Sequence, residues 1–352
     1  MPVCHSKQLL GRVLYGLGVA MPSARPWLSQ WGLRTKPEWF RGCMPRVRSR
    51  LTGRSVRLPS FSENYLSFEL FWRGLDYYEP LSAELISRLS ASTNLFIDAG
   101  ANIGCHSLRL AAVRPDLEIV AFEPNPRLHT LLSENIRANG FRNVTAEPFA
   151  LADSPGIRPL YLSKSDMSAS LDHGFEANHA GIVSVPVDTL DRYLEGRGAS
   201  NRRFVLKVDV EGLEAAFFAG AASTIRRCRP DIIAEAAVPY PSTTIELLYR
   251  CGYRFRQITD EGLVPCLVPS AKMRGPLVFL NCLLTTRPSA ELEGISADLR
   301  AFARRLDLNQ TSKRADRRVV ARCQSRAIAG SEVSPLPSLA GSPGRWPNPQ
   351  MR

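Results

Sequence analysis

The chain of 352 residues has no CxxC pair among its eight cysteines and no apolar run long enough to cross a bilayer. It also has no internal repeat. The first absence argues against a zinc site and a disulfide framework and points to a reducing compartment. The second argues against a membrane-spanning helix. The best stretch, Leu9 to Ala20, is interrupted by Arg12 and falls short of the roughly 20 residues a span requires. It is at most a weak secretory signal, so a cytoplasmic location is expected. The third absence sets aside solenoids and propellers. Positive charge is scarce in the middle of the chain, although the whole carries a net +12. Residues 1–60 hold 11 Lys+Arg against the single acid Glu38, and residues 287–352 hold 12 against 6. Residues 61–286 are left with 22 bases and 26 acids. An enzyme acting on nucleic acid would carry its positive field around its cleft, not at its ends. Nucleic acid is therefore not an expected partner. The basic flanks read as poorly folded, solvated extensions with at most weak contact to a membrane surface.

Three regions follow: a basic N-terminal extension over 1–60, a folded domain over 61–286, and a basic tail over 287–352. The tail opens with one expected helix, Ala290 to Leu306. Prolines at 335, 337, 343, 347 and 349 then exclude regular structure at its end. In the middle, short apolar runs alternate with helical patterns. Strands are expected at Asn94–Ile97, Glu118–Phe122, Val144–Leu151, Phe204–Val208, Asp231–Ala234, Arg254–Ile258 and Leu277–Leu284. Helices are expected over Gly104–Val113, Arg127–Asn139, Leu213–Arg227 and Thr243–Cys251. Such alternation calls for an α/β fold, a parallel sheet with helices on both faces, whose ligands gather at the carboxyl ends of the strands. Asp98, Glu123, Asp209 and Glu235 each fall at such an end.

The turn after the first strand reads Asp98-Ala-Gly100-Ala-Asn102-Ile-Gly104. Gly100 permits a sharp turn, and Gly104 permits close approach of backbone to a ligand. The second glycine of a dinucleotide GxGxxG loop is missing, and an acid takes its neighbourhood. Asp98 suits the cationic amine of a methionine moiety better than a pyrophosphate. Glu123 suits a pair of ribose hydroxyls. Together they fit S-adenosylmethionine better than NAD. Asn102, Asn125 and Ala150 complete the expected cofactor-binding set, the two asparagines serving turns and helix termini first.

Phe96–Gly104 followed by Phe122-Glu-Pro-Asn-Pro126 resembles the FkbM family of methyltransferases. The resemblance extends over Asn135–Asn139, Val187–Asp191, Leu206–Gly212 with Glu214, Ala219-Gly220, Ile233–Glu235 and, upstream, Tyr78-Glu79-Pro80. It covers about residues 65–285 and neither flank. It implies a class I methyltransferase (Rossmann-like) fold of seven mostly parallel strands, the last antiparallel. It also implies methyl transfer to an oxygen, typically a hydroxyl on a sugar, glycan or polyketide-like product. His106 stands where the family often has an aromatic. It is expected as a packed neutral side chain, with a cofactor-facing role as the alternative.

An alcohol acceptor needs a base or a cation that lowers its pKa. Asp209, Glu211 and Glu235 are the catalytic candidates. Asp209 and Glu235 would act as base and orienter or, less favoured, share a divalent cation; no metal site is assigned. Glu211 has a plainer alternative as a cap of the next helix. Lys207 should point to the same side of its strand as Asp209. The polar insertion Ser154–Thr189, with His173 and His179, is the natural acceptor-binding lid. Competing readings are an NAD-dependent oxidoreductase or epimerase, a non-catalytic protein on a methyltransferase-like fold, and an RNA methyltransferase. The missing glycine, the intact acid set and the acidic centre argue against them in turn.

Overall fold

In the computed structural model, described residues are 2–21, 28, 37–40, 43–49, 52–163, 169–172, 179–197, 203–236, 240–266 and 280–306. Helix α1 (Pro2–Ala20) comes first, and β1 (Arg46–Arg48) and β2 (Ser55–Arg57) form an antiparallel hairpin. Helices α2 (Tyr65–Arg73) and α3 (Pro80–Ser90) precede the sheet. The sheet begins with β3 (Leu95–Ala99), α4 (Cys105–Val113), β4 (Glu118–Phe122), α5 (Pro126–Asn139) and β5 (Val144–Glu147). Four short strands follow: β6 (Ala150–Leu151), β7 (Gly156–Ser163), β8 (Ala169–Ser170) and β9 (His179–Asp188). Then come α6 (Leu190–Gly196), β10 (Val205–Val208), α7 (Glu214–Gly220), α8 (Ala222–Cys228), β11 (Asp231–Ala236) and α9 (Ser242–Arg250). The described chain closes with β12 (Arg254–Thr259), β13 (Gly262–Pro265), β14 (Leu280–Thr285) and α10 (Ser289–Arg305).

The main sheet runs β13-β12-β14-β11-β10-β3-β4-β5. β3, β4, β5, β10 and β11 are parallel, and β14 is antiparallel to both of its neighbours. This is the class I methyltransferase arrangement, extended from the seven expected strands to eight. The extra strand β13 folds back on β12 through a turn at Gly262, whose φ is +100. Chain order reverses between β3 and β10, so the crevice at their carboxyl ends is the topological switch point.

Both faces of the sheet are covered. Ile97, Val120, Phe122, Leu206 and Val208 pack with Leu190, Phe217, Phe218 and Leu248 on one side. Phe96, Ile119, Val205 and Ile233 pack with Leu85, Ile86, Leu110 and Leu299 on the other. Central strands buried on both faces read as continuous apolar runs, which is why β3, β4 and β10 stand out in the sequence. Helix α5 shows its signals plainly. Asn125 accepts from the N–H groups of Arg127 and Leu128, Pro126 opens the helix, and Gly140 closes it at φ +68.

Four expectations need correction. The run Val144–Leu151 is two strands, because Pro148 has no N–H to continue the ladder. β5 stays in the main sheet, while β6 pairs with β9 in a separate four-stranded sheet. The helix expected over Leu213–Arg227 is broken at Ala221 into α7 and α8. There Gly220 presses on β6's neighbour so closely that a Cβ would lie 1.9 Å from the Ala152 carbonyl oxygen. Residues 1–60 are no mere extension: Leu14, Tyr15, Val47, Val56 and Leu58 join Phe61, Phe71, Trp72, Ile103 and Leu131 in one apolar cluster. Asn139 ties this segment down, accepting from the Arg57 N–H at 2.7 Å and donating to its carbonyl at 2.8 Å. Finally, α10 belongs to the domain rather than to the tail, since Leu292 and Leu299 are buried against the sheet. The proline-rich end lies outside the described residues.

Candidate active site

The cleft is built by three strand ends locked together. Gly100 and Ala101 donate to the Phe122 carbonyl at 3.0 and 2.9 Å, and Asp209 donates to the Ala99 carbonyl at 3.0 Å. Gly100 has φ +84, and a Cβ there would stand 1.8 Å from the Asp209 carbonyl oxygen. Glycine is thus demanded twice, by conformation and by contact. Asn102 also takes a left-handed φ of 51, its Oδ1 accepting from the Ile103 N–H at 2.8 Å.

Glu123, at the end of β4, is 5% exposed. One carboxylate oxygen accepts from the Asn102 N–H and the other from the Asn125 N–H, both at 2.8 Å. Burial pushes its pKa up to about 7, against the pull of those two N–H groups. Beside it opens a cleft that includes Gly100, Asn102, Glu123, Ala150, Asp209 and Glu211 in its wall. Phe122, Leu128, Phe149, Leu160 and Leu171 give this cleft an apolar side.

A second, smaller cavity adjoins it, lined by Tyr78, Asp98, Gly100, His106, Lys207 and Asp209 among others. Asp98 is buried and accepts from the Ser107 hydroxyl at 2.6 Å. Burial raises its pKa, opposed by His106, Ser107 and Lys207. Lys207 is 1% exposed at the centre of the sheet, in register with Asp98. Its ammonium donates to Asp209 Oδ2 at 3.0 Å and lies 3.7 Å from Glu79 Oε2. Burial works against that charge, but Asp209, Glu79 and Glu235 overcome it and raise the Lys207 pKa. His106 is 7% exposed, its Nε2 at 3.3 Å from Glu79 Oε2. It packs against Tyr78 and lines the smaller cavity.

Glu235 is half-buried on β11, opposite Asn281. Burial, and then the neighbouring Asp209 carboxylate, push its pKa up to about 9. That raised value keeps Glu235 protonated through the neutral range. Glu211 lines the larger cavity from a strained φ of 53, and its carbonyl accepts from the Ser170 hydroxyl. It is not the helix cap: the N-cap of α7 is Leu213, without a side-chain cap bond, and Glu214 in the first turn accepts from the Gly212 N–H at 3.2 Å.

Gly104 and Asn125 line neither cavity. The φ of +89 at Gly104 starts α4, and a Cβ would fall 2.5 Å from Leu132 Cδ1, so its demand comes from packing and not from a ligand. Asn125 caps α5 and serves the cleft only through its N–H to Glu123. The insertion after β6 is not a loose loop: β7 and β9 pair over most of their length and place Leu160 in the cleft wall. His173 and the His179 side chain lie outside the described residues. Among the described residues, no group of three or more His, Cys, Asp or Glu is arranged to hold a metal ion.

Glu79 is the site residue that sequence reasoning missed. It holds φ 38 and ψ 57, rare for a residue with a side chain. Burial disfavours its charge, yet Lys207 and His106 hold its carboxyl well below the usual range. The signal was present in Tyr78-Glu79-Pro80, which resembled the family without suggesting a role.

The sheet order and the cleft at its switch point follow the class I methyltransferase arrangement. Residues 98–255 match the family described as "Methyltransferase FkbM domain". Methyltransferase sdnD of Sordaria araneosa is 40% identical over 70 residues, which is 20% of this chain and 27% of that protein. The chain thus matches about a quarter of the length of that relative. Among solved structures, methyltransferase FkbM from Methylobacillus flagellatus KT aligns with TM-score 0.37 and 14% identity. That alignment covers 76% of this chain and 60% of the other. TYW2 of M. jannaschii in complex with AdoMet aligns with TM-score 0.34 and 14% identity, over 69% and 84%.

Proposed function

We propose that the protein is an S-adenosylmethionine-dependent O-methyltransferase acting on a hydroxyl of a sugar, glycan or polyketide-like product. The observation that carries this reading is the pairing of Glu123 with Asp209 across the Gly100 turn, on the two walls of one cleft. The residues present fit the cofactor. Glu123 keeps unused lone pairs for ribose hydroxyls after its two N–H contacts, Phe149 and Leu128 offer an apolar wall to a purine, and Asp98 offers charge to an amine. When bound, S-adenosylmethionine supplies an electrophilic methyl group and departs as S-adenosylhomocysteine.

The chain's own work is alignment and proton removal. Asp209 accepts the proton that leaves the acceptor hydroxyl, Lys207 anchors its carboxylate, and protonated Glu235 orients it. The hairpin of β7 and β9 overhangs the cleft and selects the acceptor. The cysteine pattern, without a CxxC pair, supports a reducing, cytoplasmic setting.

Calorimetry with S-adenosylhomocysteine tests the cofactor half, with wild type binding and Glu123→Ala losing affinity. No binding by wild type at near-millimolar ligand would sink the proposal. An acceptor screen with and without Mg²⁺ tests the other half. Asp209→Asn should keep cofactor binding and lose on the order of a hundredfold or more in turnover. Unchanged turnover would refute the assigned role.

A further inference from the structure

Two features of the N-terminal segment have no part in the cleft. Among the described residues eleven large hydrophobic side chains stand exposed, and Leu10, Val13, Leu17, Val19, Met21 and Met44 are six of them. Over half of the exposed apolar bulk is thus gathered into the first 44 residues. On α1, Leu10, Val13 and Leu17 follow the i, i+3, i+7 spacing of a single stripe and are 50%, 51% and 38% exposed.

This is not a helix awaiting burial on its own domain, because another face is already docked. A Cβ on Gly11 would lie 2.6 Å from the Trp39 carbonyl oxygen, and one on Gly18 would lie 3.0 Å from the Phe71 ring. Tyr15 stacks on Phe71 with centroids 5.4 Å apart. Between Leu10 and Met21 the only charged residue is Arg12.

The second feature is the β1–β2 hairpin. Val47 and Val56 face inward, while Arg46, Arg48, Arg54 and Arg57 are exposed. Between Glu38 and Glu63 the chain has six arginines and no acid. Met44, 68% exposed, precedes the hairpin.

We infer that this segment docks the enzyme on an anionic lipid surface, the α1 stripe entering the interface while the hairpin arginines meet the headgroups. An apolar stripe and a cationic hairpin carried by one N-terminal segment suit a helix lying in the interface plane. No described helix is long and apolar enough to cross a membrane. Nucleic acid would satisfy the arginines but leave the stripe in water. A second copy docked through the same surface would set one cationic segment against another.

The test is co-sedimentation of the full chain with vesicles of phosphatidylcholine alone and of phosphatidylcholine containing phosphatidylglycerol. Wild type should bind the anionic vesicles and release as salt rises. Val13→Asp with Leu17→Asp should lower binding at least about tenfold, and Arg46→Glu with Arg48→Glu should do so comparably. Melting temperatures report that each variant is folded, and the arginine pair serves if the α1 pair is not. Equal binding to both vesicle types, no binding at all, or indifference to either folded variant would overturn the inference. So would self-association without vesicles that Val13→Asp with Leu17→Asp abolishes, or duplex DNA binding that this variant leaves intact.

Discussion

Glu123→Gln separates the two demands made on that side chain. The carboxylate takes one N–H on each oxygen, whereas glutamine offers one oxygen and an NH₂ group. One of the two N–H groups must then face another donor. Losing a buried bond of this kind costs about 1–3 kcal/mol, or one to two orders of magnitude in cofactor affinity if the loop shifts. The wild-type carboxyl itself approaches this state on protonation, since burial places its pKa at about 7. Ribose hydroxyls donate to the ionised form, so cofactor affinity should climb with pH and level off above that value. At pH 5.5 the wild type should bind about 30-fold more weakly than at its plateau, by the protonated fraction alone. Calorimetric titration with S-adenosylhomocysteine between pH 5.5 and 8.5 measures both proteins directly. The glutamine variant should bind weakly without that pH dependence. The ligand-free fold responds with the opposite sign. A carboxyl whose folded-state pKa is raised contributes stability below its unfolded value and loses it as pH rises through 7. A flat wild-type profile, or a variant that keeps the slope, would refute the assignment of Glu123 to the ribose.

Gly100→Ala places a methyl group against the backbone of Asp209 at a positive φ. It should cost at least about 3 kcal/mol, visible as a shifted urea midpoint, and an unchanged midpoint would remove the turn from the argument. Glu235→Gln mimics the protonated partner of Asp209. Turnover near neutrality should stay within about threefold of wild type, while the alkaline limb near pH 9 disappears from the kcat profile. A hundredfold loss at pH 7 would instead make Glu235 the base. Glu79→Gln leaves Lys207 with Asp209 but removes the carboxylate facing His106. A loss of about 2 kcal/mol, roughly 5 °C in melting temperature, is expected at neutral pH. The low folded-state pKa of Glu79 means this difference shrinks as pH falls into the acid range, which differential scanning calorimetry resolves.

The cofactor cleft was legible because its parts are adjacent in sequence: strand, glycine turn, and an acid one strand later. Buried central strands write themselves as apolar runs, and α5 carries both a cap and a stop. What stayed hidden depends on distance. Glu79 opens α3 and meets Lys207 and His106 only in the folded chain, so no local spacing links it to either. Gly104 looked like a ligand contact because glycine in a loop does not reveal whether Leu132 or a cofactor fills the missing Cβ. The N-terminal segment looked unfolded because its charge hides two short apolar patterns, Val47 with Val56 and Leu14 with Tyr15. Their partners, Phe61, Phe71 and Ile103, lie far along the chain.

The break at Pro148 has an architectural consequence. Residues 144–151 serve two sheets, β5 in one and β6 in the other, with only Pro148 and Phe149 between them. The four-stranded sheet is therefore hung from the main sheet like a shutter on a short strap. Phe149, at the strap, also forms part of the cleft wall. Recasting the β7–β9 hairpin for a different acceptor would leave Gly100, Glu123 and Asp209 where they are. A pull on the shutter would be felt first at the Phe149 side of the cleft, through one aromatic ring.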